Sequence, residues 1–378
     1  MIKIHTILFS ALVAFYFIQE RPSRRENGSI SAFTTVDGPY VFYNNDSIFV
    51  KYIQDDAGTK SVRSDAVPVS QKDIITLKVN TDIPGKTFDV LLKQKLVNEK
   101  SEYNRVKKML VISDIEGNFE AFRKLLEVSG VIDSDFNWTF GNSHLVLTGD
   151  FVDRGNMVME VLWLIYSLEE KAKAAGGYVH FILGNHEIMN MSGDINYVHE
   201  RYIQHSMLLY KYYMQIFGKE SEIGRWLSTK NIAERVGNVL FTHGGFSSYM
   251  NNIRIPLDEL NNISRPYYTD STYQYKDLRL DLVYSDYGPF WYRGYYKAPK
   301  AQAVQIDSTL DFYGVRHIST GHTVIANQIT SLYNGKLIDT DVHHAGGHSE
   351  ALLIDGGKFW RINSKGEQLA VKSYDSKG

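Results

Sequence analysis

Five short apolar runs in this chain each stop on a residue able to hold a metal or touch an anion: MLVISD at 109–114, HLVLTGD at 144–150, YVHFILGN at 178–185, VLFTHGG at 239–245 and RHISTGH at 316–322. Continuous apolar runs of this length are what strands buried on both faces look like. Helical periodicity at Glu120–Ser129 and Met157–Ala175 separates the first three, so the order begins β-α-β-α-β. A helical middle near 196–235 follows, then more strands, and EALLIDGGKFWRI (350–362) is a hairpin around Asp355-Gly356-Gly357. The reading is an α/β protein. In such sheets the carboxyl ends of the strands are where sites are built.

At those ends stand Asp114 and Glu116, Asp150, Asn185 and His186, His243, and His322. Alone, each is an ordinary capping or surface residue. In series they supply three carboxylates, an amide and two or three imidazoles. That set is too large for one tetrahedral zinc and suits two adjacent divalent ions sharing a carboxylate. The chain has no cysteine, so it forms no disulfide, offers no cysteine for a lipoprotein anchor, and can hold metal only through oxygen and nitrogen. Glycines in GDFVDRG (149–155) and GNHE (184–187) allow the backbone to turn sharply beside the donors. Arg154 offers a planar fork suited to phosphate oxygens. A two-metal centre with such an arginine points to phosphoester hydrolysis.

The order D-x-E-G-N, GDxxDRG, GNHE, HGG, GH resembles the calcineurin-like metallophosphoesterases of the phosphoprotein phosphatase superfamily. LGNHEIMNMSGD (183–194), GPFWYRG (288–294) and IDTDV (338–342) resemble the bacterial Shewanella-like protein phosphatases. The resemblance runs from about Lys108 to the C-terminus. It implies a β-sandwich flanked by helices over residues 105–378, with a helical insertion near 194–235 whose tyrosines could receive an aromatic phosphoester. It also implies two divalent ions. Asp114 and residue 116 would hold the first, Asp150 would bridge, and Asn185, His243 and His322 would hold the second, with a bridging water or hydroxide attacking phosphorus in line. Arg154 and Arg293 would clamp the phosphate, with Asn185 touching it. His186, oriented by Asp153, would protonate the leaving oxygen.

One letter departs from the family, which has histidine where this chain has Glu116. The carboxylate is read as a ligand, with two alternatives: a residue pointing away or meeting metal through water, and a pseudophosphatase that binds without turnover. A carboxylate there favours harder ions, so Mn²⁺ is expected first, with Fe, Zn or Mg as alternatives. It should also make metal-held water less acidic.

The remainder of the chain is less informative. The apolar run Ile4–Ile18 behind one lysine reads as a signal peptide or anchor (1–19), directing export, with a linker at 20–35. Residues 36–104 read as a β-rich extension opening on a hairpin around Asn44-Asn45-Asp46, with strand character near 74–79 and a helical stretch near 89–103. A net charge of −2 argues against nucleic acid as a partner, and membrane association is expected only through the N-terminal run. The substrate is expected to be a phosphorylated protein, with a small phosphorylated metabolite or dinucleoside polyphosphate as the rival. His343, His344 and His348 read as a loop cluster able to bind metal or substrate, or simply as solvated.

Overall fold

In the computed structural model, residues 34–373 apart from residue 273 are described. The expected signal or anchor segment and nearly all of the linker therefore lie outside the described residues. Among the described residues, no helix is long and apolar enough to cross a membrane.

The chain from Thr34 onward clusters as one compact unit. It opens with an antiparallel meander, β1 (Thr34–Asn44), β2 (Ser47–Asp56) and β3 (Thr59–Pro68), followed by the hairpin β4 (Thr76–Asn80) and β5 (Thr87–Leu91). The β1–β2 turn pairs Asn44 with Ser47 and places Asn45 at φ +50°, as the Asn-Asn-Asp signal requires. The helix expected near 89–103 does not form. Other elements capture that backbone: Tyr166 Oη accepts from Lys93 N at 2.7 Å, Thr229 O accepts from Glu99 N at 3.0 Å, and Asn231 Nδ2 donates to Lys100 O at 2.8 Å. Tertiary partners outweigh the helical propensity of Leu, Lys and Glu, which is a weak term. The segment stays without regular structure up to the short strand β6 (Glu102–Tyr103).

The apolar runs form a sandwich. One sheet is built on β7 (Lys108–Ile112), β8 (His144–Leu147) and β9 (Tyr178–Phe181), three parallel strands in consecutive order. The other includes β10 (Ala233–Val236), β11 (Val239–Thr242), β12 (His317–Thr320), β13 (Thr330–Leu332) and β14 (Leu337–Asp339). The terminal hairpin, β15 (Glu350–Asp355) and β16 (Lys358–Asn363), extends the first sheet by antiparallel pairing of β15 with β7. Alternation along the strands divides the burial. Met109, Val111, Val146, Phe241, Ile338 and Leu352 share the core between the sheets. Leu110, Ile112, Leu145 and Leu147 join the larger core with helices α1 (Phe119–Val128) and α2 (Val158–Ala174). The strands are apolar on both faces because both faces are covered. After α3 (Asn185–Ser192), the expected helical middle near 196–235 appears as α4 (Glu200–Leu208) and α5 (Glu222–Leu227), and gives way to β10 at Ala233.

Candidate active site

The strand ends converge as expected. β7 delivers Asp114, β8 delivers Asp150, β9 runs into α3 at Asn185, β11 ends before His243, and β12 ends before His322. Close approach demands glycine between them. A Cβ on Gly184 would stand 2.2 Å from Asp150 Oδ1, and one on Gly321 would stand 2.2 Å from Asp114 Oδ2. The carboxylates thus reach their places only because neighbouring strand ends carry no side chain. Six site residues hold left-handed backbone: Asp114, Glu116, Asp150, Asp153, Arg154 and His322 lie at φ +50° to +70°. Each costs roughly 1 kcal/mol or more, and such strain persists only where the surroundings over-determine it.

The donor set fits divalent cations. Asp150, His243 and His322 each offer a ligand atom, and these atoms lie within 4.8 Å of one another. Both imidazoles are oriented by backbone carbonyls, which can only accept. His243 Nδ1 donates to Thr148 O at 2.8 Å, and His322 Nε2 donates to Trp291 O at 3.1 Å. That arrangement leaves one nitrogen of each ring free to meet a cation, the way metal-binding histidines are usually held. His243 Nε2 faces Asp150 Oδ2 at 3.0 Å and Asn185 Oδ1 at 3.0 Å. Two acceptors meeting one ring nitrogen require a positive charge between them, as a proton or as a metal ion. Burial works against the His243 proton, but Asp150 wins and raises the group to about 9. Burial likewise raises Asp114 to about 6 against the pull of His243. Asp150 goes the other way: despite burial, the imidazoles of His243 and His186 hold it well below the usual carboxylate range.

His186 is arranged differently. Its Nδ1 donates to Asp153 Oδ2 at 2.6 Å, while Nε2 lies 3.8 Å from Asp150 Oδ2. Burial opposes its protonation, yet Asp150 and Asp153 raise it above the ordinary histidine value. The ring is thus oriented from Nδ1, with Nε2 turned toward Asp150, and its carboxylate neighbours favour the protonated form that a proton donor needs. Behind it runs a chain that sequence reasoning did not single out. Asn190 Nδ2 donates to Asp153 Oδ1 at 2.8 Å, and Tyr213 Oη donates to Asn190 Oδ1 at 2.5 Å. Glu187, fully buried, accepts from the backbone N–H groups of Asp150, Phe151 and Gly184 at 2.8–2.9 Å. The E of GNHE thus ties two strand ends together. The signal was a charged residue fused to the donors, but only the fold shows what it binds.

A cavity of about 750 Å³ opens over these groups and includes Glu116, Arg154, Arg293 and Asp341 in its lining. Arg293 donates from Nη1 to His322 O and to Thr323 Oγ1, the latter at 3.2 Å. Arg154 stacks over Tyr197 at 5.1 Å, and the same ring meets His186 edge-on at 5.0 Å. Glu116 is ion-paired with Arg154. The structure brings the other named donors to one edge and engages the Glu116 carboxylate with the guanidinium expected to clamp phosphate. Asp341, from the IDTDV stretch, is buried beside the donors. Burial and then Asp114 push it well above its usual value. The histidine cluster separates: His344 is buried with Nε2 donating to Ser113 O at 3.1 Å, while His343 and His348 are exposed. His344 thus braces the residue before Asp114.

Among proteins of similar sequence, Shewanella-like protein phosphatase 1 of Plasmodium berghei is 28% identical over 291 residues, covering 71% of this chain and 78% of that protein. Human serine/threonine-protein phosphatase 5 is 28% identical over 158 residues, 42% of this chain and 27% of that protein. Among solved structures, the cold-active protein-tyrosine phosphatase of a psychrophilic Shewanella superposes with a TM-score of 0.79 at 32% identity. That match covers 88% of this chain and 98% of the other. The calcineurin-like phosphoesterase family matches residues 107–326, and this chain belongs to that family: it is a hydrolase of phosphate esters that works with divalent metal ions.

Proposed function

We propose that the chain is a phosphoprotein phosphatase with a dinuclear metal centre, Mn²⁺ foremost, acting on phosphotyrosine as well as phosphoserine and phosphothreonine. The observation that carries this reading is the placement of His186 beside Asp150, which clusters with the His243 and His322 donors, at a cavity lined also by His322 and two arginines. The names of the similar proteins, which include a tyrosine and a serine/threonine phosphatase, support the substrate class.

Asp114 and Glu116 would hold one ion, Asn185, His243 and His322 the other, and Asp150 both. When bound, such ions activate water as the nucleophile and draw charge from the phosphoryl oxygens. Arg154 and Arg293 orient the phosphate and neutralise its charge. An alkyl or phenolic oxygen leaves poorly as an anion, so His186 gives it the Nε2 proton while Asp153 stabilises the imidazolium beforehand. Tyr197, lying against both His186 and Arg154, forms an aromatic wall suited to a phenolic leaving group.

The test is turnover by metal-loaded protein of phosphotyrosine, phosphoserine and phosphothreonine peptides, against p-nitrophenyl phosphate and small phosphorylated metabolites, with bound metal counted. Faster turnover of metabolites than of every phosphopeptide would overturn the phosphoprotein reading and favour the small-molecule rival. Export through the Ile4–Ile18 run belongs to the same proposal. A reporter active only outside the cytoplasm, fused behind this run, should be active, and a silent fusion refutes export.

A further inference from the structure

A second concavity adjoins the catalytic one. It measures about 900 Å³, and Arg293 and Lys297 line both. The two differ in charge. The catalytic cavity is lined by six carboxylates (Asp82, Asp114, Glu116, Glu120, Asp150 and Asp341) against Arg154 and the two shared cations. The neighbouring groove carries Arg293, Lys297 and Lys300 against Asp286 alone. Among the described residues, no ion-pair partner lies within 4.0 Å of the Lys297 or Lys300 ammonium. Its wall is aromatic. Tyr249 and Tyr287 pack edge to face at 5.0 Å, yet are 55% and 50% exposed. Trp291, deeper in, orients His322 through its carbonyl and meets the His322 ring at 5.8 Å. Half-exposed tyrosines and uncommitted cations side by side are the composition of a recognition surface.

We propose that this groove docks an acidic stretch of the substrate chain flanking the phosphorylated residue. The inference rests on the phosphoprotein reading and names what selects among phosphoproteins. Three observations favour an acidic peptide. The groove adjoins the catalytic cavity, with Arg293 and Lys297 lining both, so a chain lying in the groove would flank a phosphorylated residue held in the cavity. Its surplus of cations complements carboxylates, and its exposed tyrosine pair offers apolar area to backbone and side-chain stems. A free anion or small metabolite would use the lysines but leave the tyrosines uncovered.

The experiment uses the metal-loaded full chain and paired phosphopeptides, identical except for Asp/Glu or Asn/Gln flanks on both sides. Each pair is made once with phosphotyrosine and once with phosphoserine. Wild type should favour the acidic peptide by about tenfold in kcat/KM at low salt, mostly through KM, and the preference should shrink with added salt. Lys300→Glu should erase or invert that preference, and Tyr249→Ala should weaken both peptides. Turnover of p-nitrophenyl phosphate, too short to reach the groove, should stay within about twofold for both variants, since neither side chain belongs to the donor set. Equal wild-type turnover of the paired peptides, a preference that survives Lys300→Glu, or a parallel fall in p-nitrophenyl phosphate turnover would each overturn the groove's role. Turnover of p-nitrophenyl phosphate with no turnover of any phosphopeptide would overturn the phosphoprotein reading and the groove together, a separate and recognisable result.

Discussion

Replacing Glu116 with glutamine separates its two candidate tasks, because they respond with opposite sign. The carboxylate is ion-paired with Arg154, and the two side chains are 25% and 45% exposed. Pairs this accessible are worth at most about 1 kcal/mol, since water and salt screen them and both chains lose freedom. Releasing Arg154 should therefore tighten phosphate binding by no more than about fivefold. Losing an anionic donor acts on the metal instead. Outer groups that merely orient ligands cost 10–100-fold in metal affinity, so removing a direct carboxylate should cost at least roughly tenfold. The expected outcome for Glu116→Gln is thus weaker binding of one Mn²⁺, at least tenfold by titration, together with an unchanged or slightly lower Ki for inorganic phosphate at saturating Mn²⁺. Glu116→His should keep both ions, shift preference toward Zn²⁺, and move the acidic limb of the pH–rate profile downward, because one negative charge leaves the neighbourhood of the nucleophilic water. The reasoning fails if Glu116→Gln binds two Mn²⁺ with wild-type affinity. In that case Glu116 serves Arg154 only, and a modest gain in phosphate affinity would be its sole signature.

The other predictions concern Asp150, His186 and His144. Asp150→Asn should strip most bound metal and leave well under about a tenth of wild-type turnover, a loss of more than ~1.4 kcal/mol in barrier terms; retained metal and activity would refute the shared-carboxylate role. His186→Asn should preserve metal content yet lower kcat by about 10²–10⁴ on alkyl phosphates, with a smaller loss on p-nitrophenyl phosphate, whose leaving group hardly needs a proton. Equal losses on both substrates would remove His186 from acid catalysis. His144, whose Nδ1 meets His180 Nε2 at 2.8 Å, is lowered to about 4 by burial and then by His180. The folded state therefore excludes a proton that the unfolded chain takes up near pH 6.5, so stability is lost as pH falls from about 6.5 through 4. After allowance for its partial exposure this amounts to roughly 1–2 kcal/mol. His144→Gln should flatten that part of the urea-midpoint profile, and an unchanged slope would show that the loss comes from other groups.

The strand set, the α/β class and the convergence of the donors were legible because each rests on local pattern. An apolar run bounded by a polar stop reads as a buried strand wherever it ends up, and Asp114, Asp150, Asn185, His186, His243 and His322 sit at those stops. Partners contributed by distant segments were not legible. The irregular course of residues 92–101 depends on Tyr166, Thr229 and Asn231, which no window around Lys93 contains. The brace behind His186 needs Tyr213 from beyond α4, and the separation of His344 from His343 and His348 needs Ser113 at the end of β7, more than two hundred residues away. Glu116 shows the division most plainly. Its place in the chain marked it as the family's missing histidine, while its ion pair with Arg154 appears only once β8 has set residues 116 and 154 side by side. Periodicity and residue chemistry are local properties that a sequence carries outright. Which charge faces which is decided by packing, because a carboxylate's partner is the cation that the fold brings within reach, at a sequence separation the chain itself does not encode.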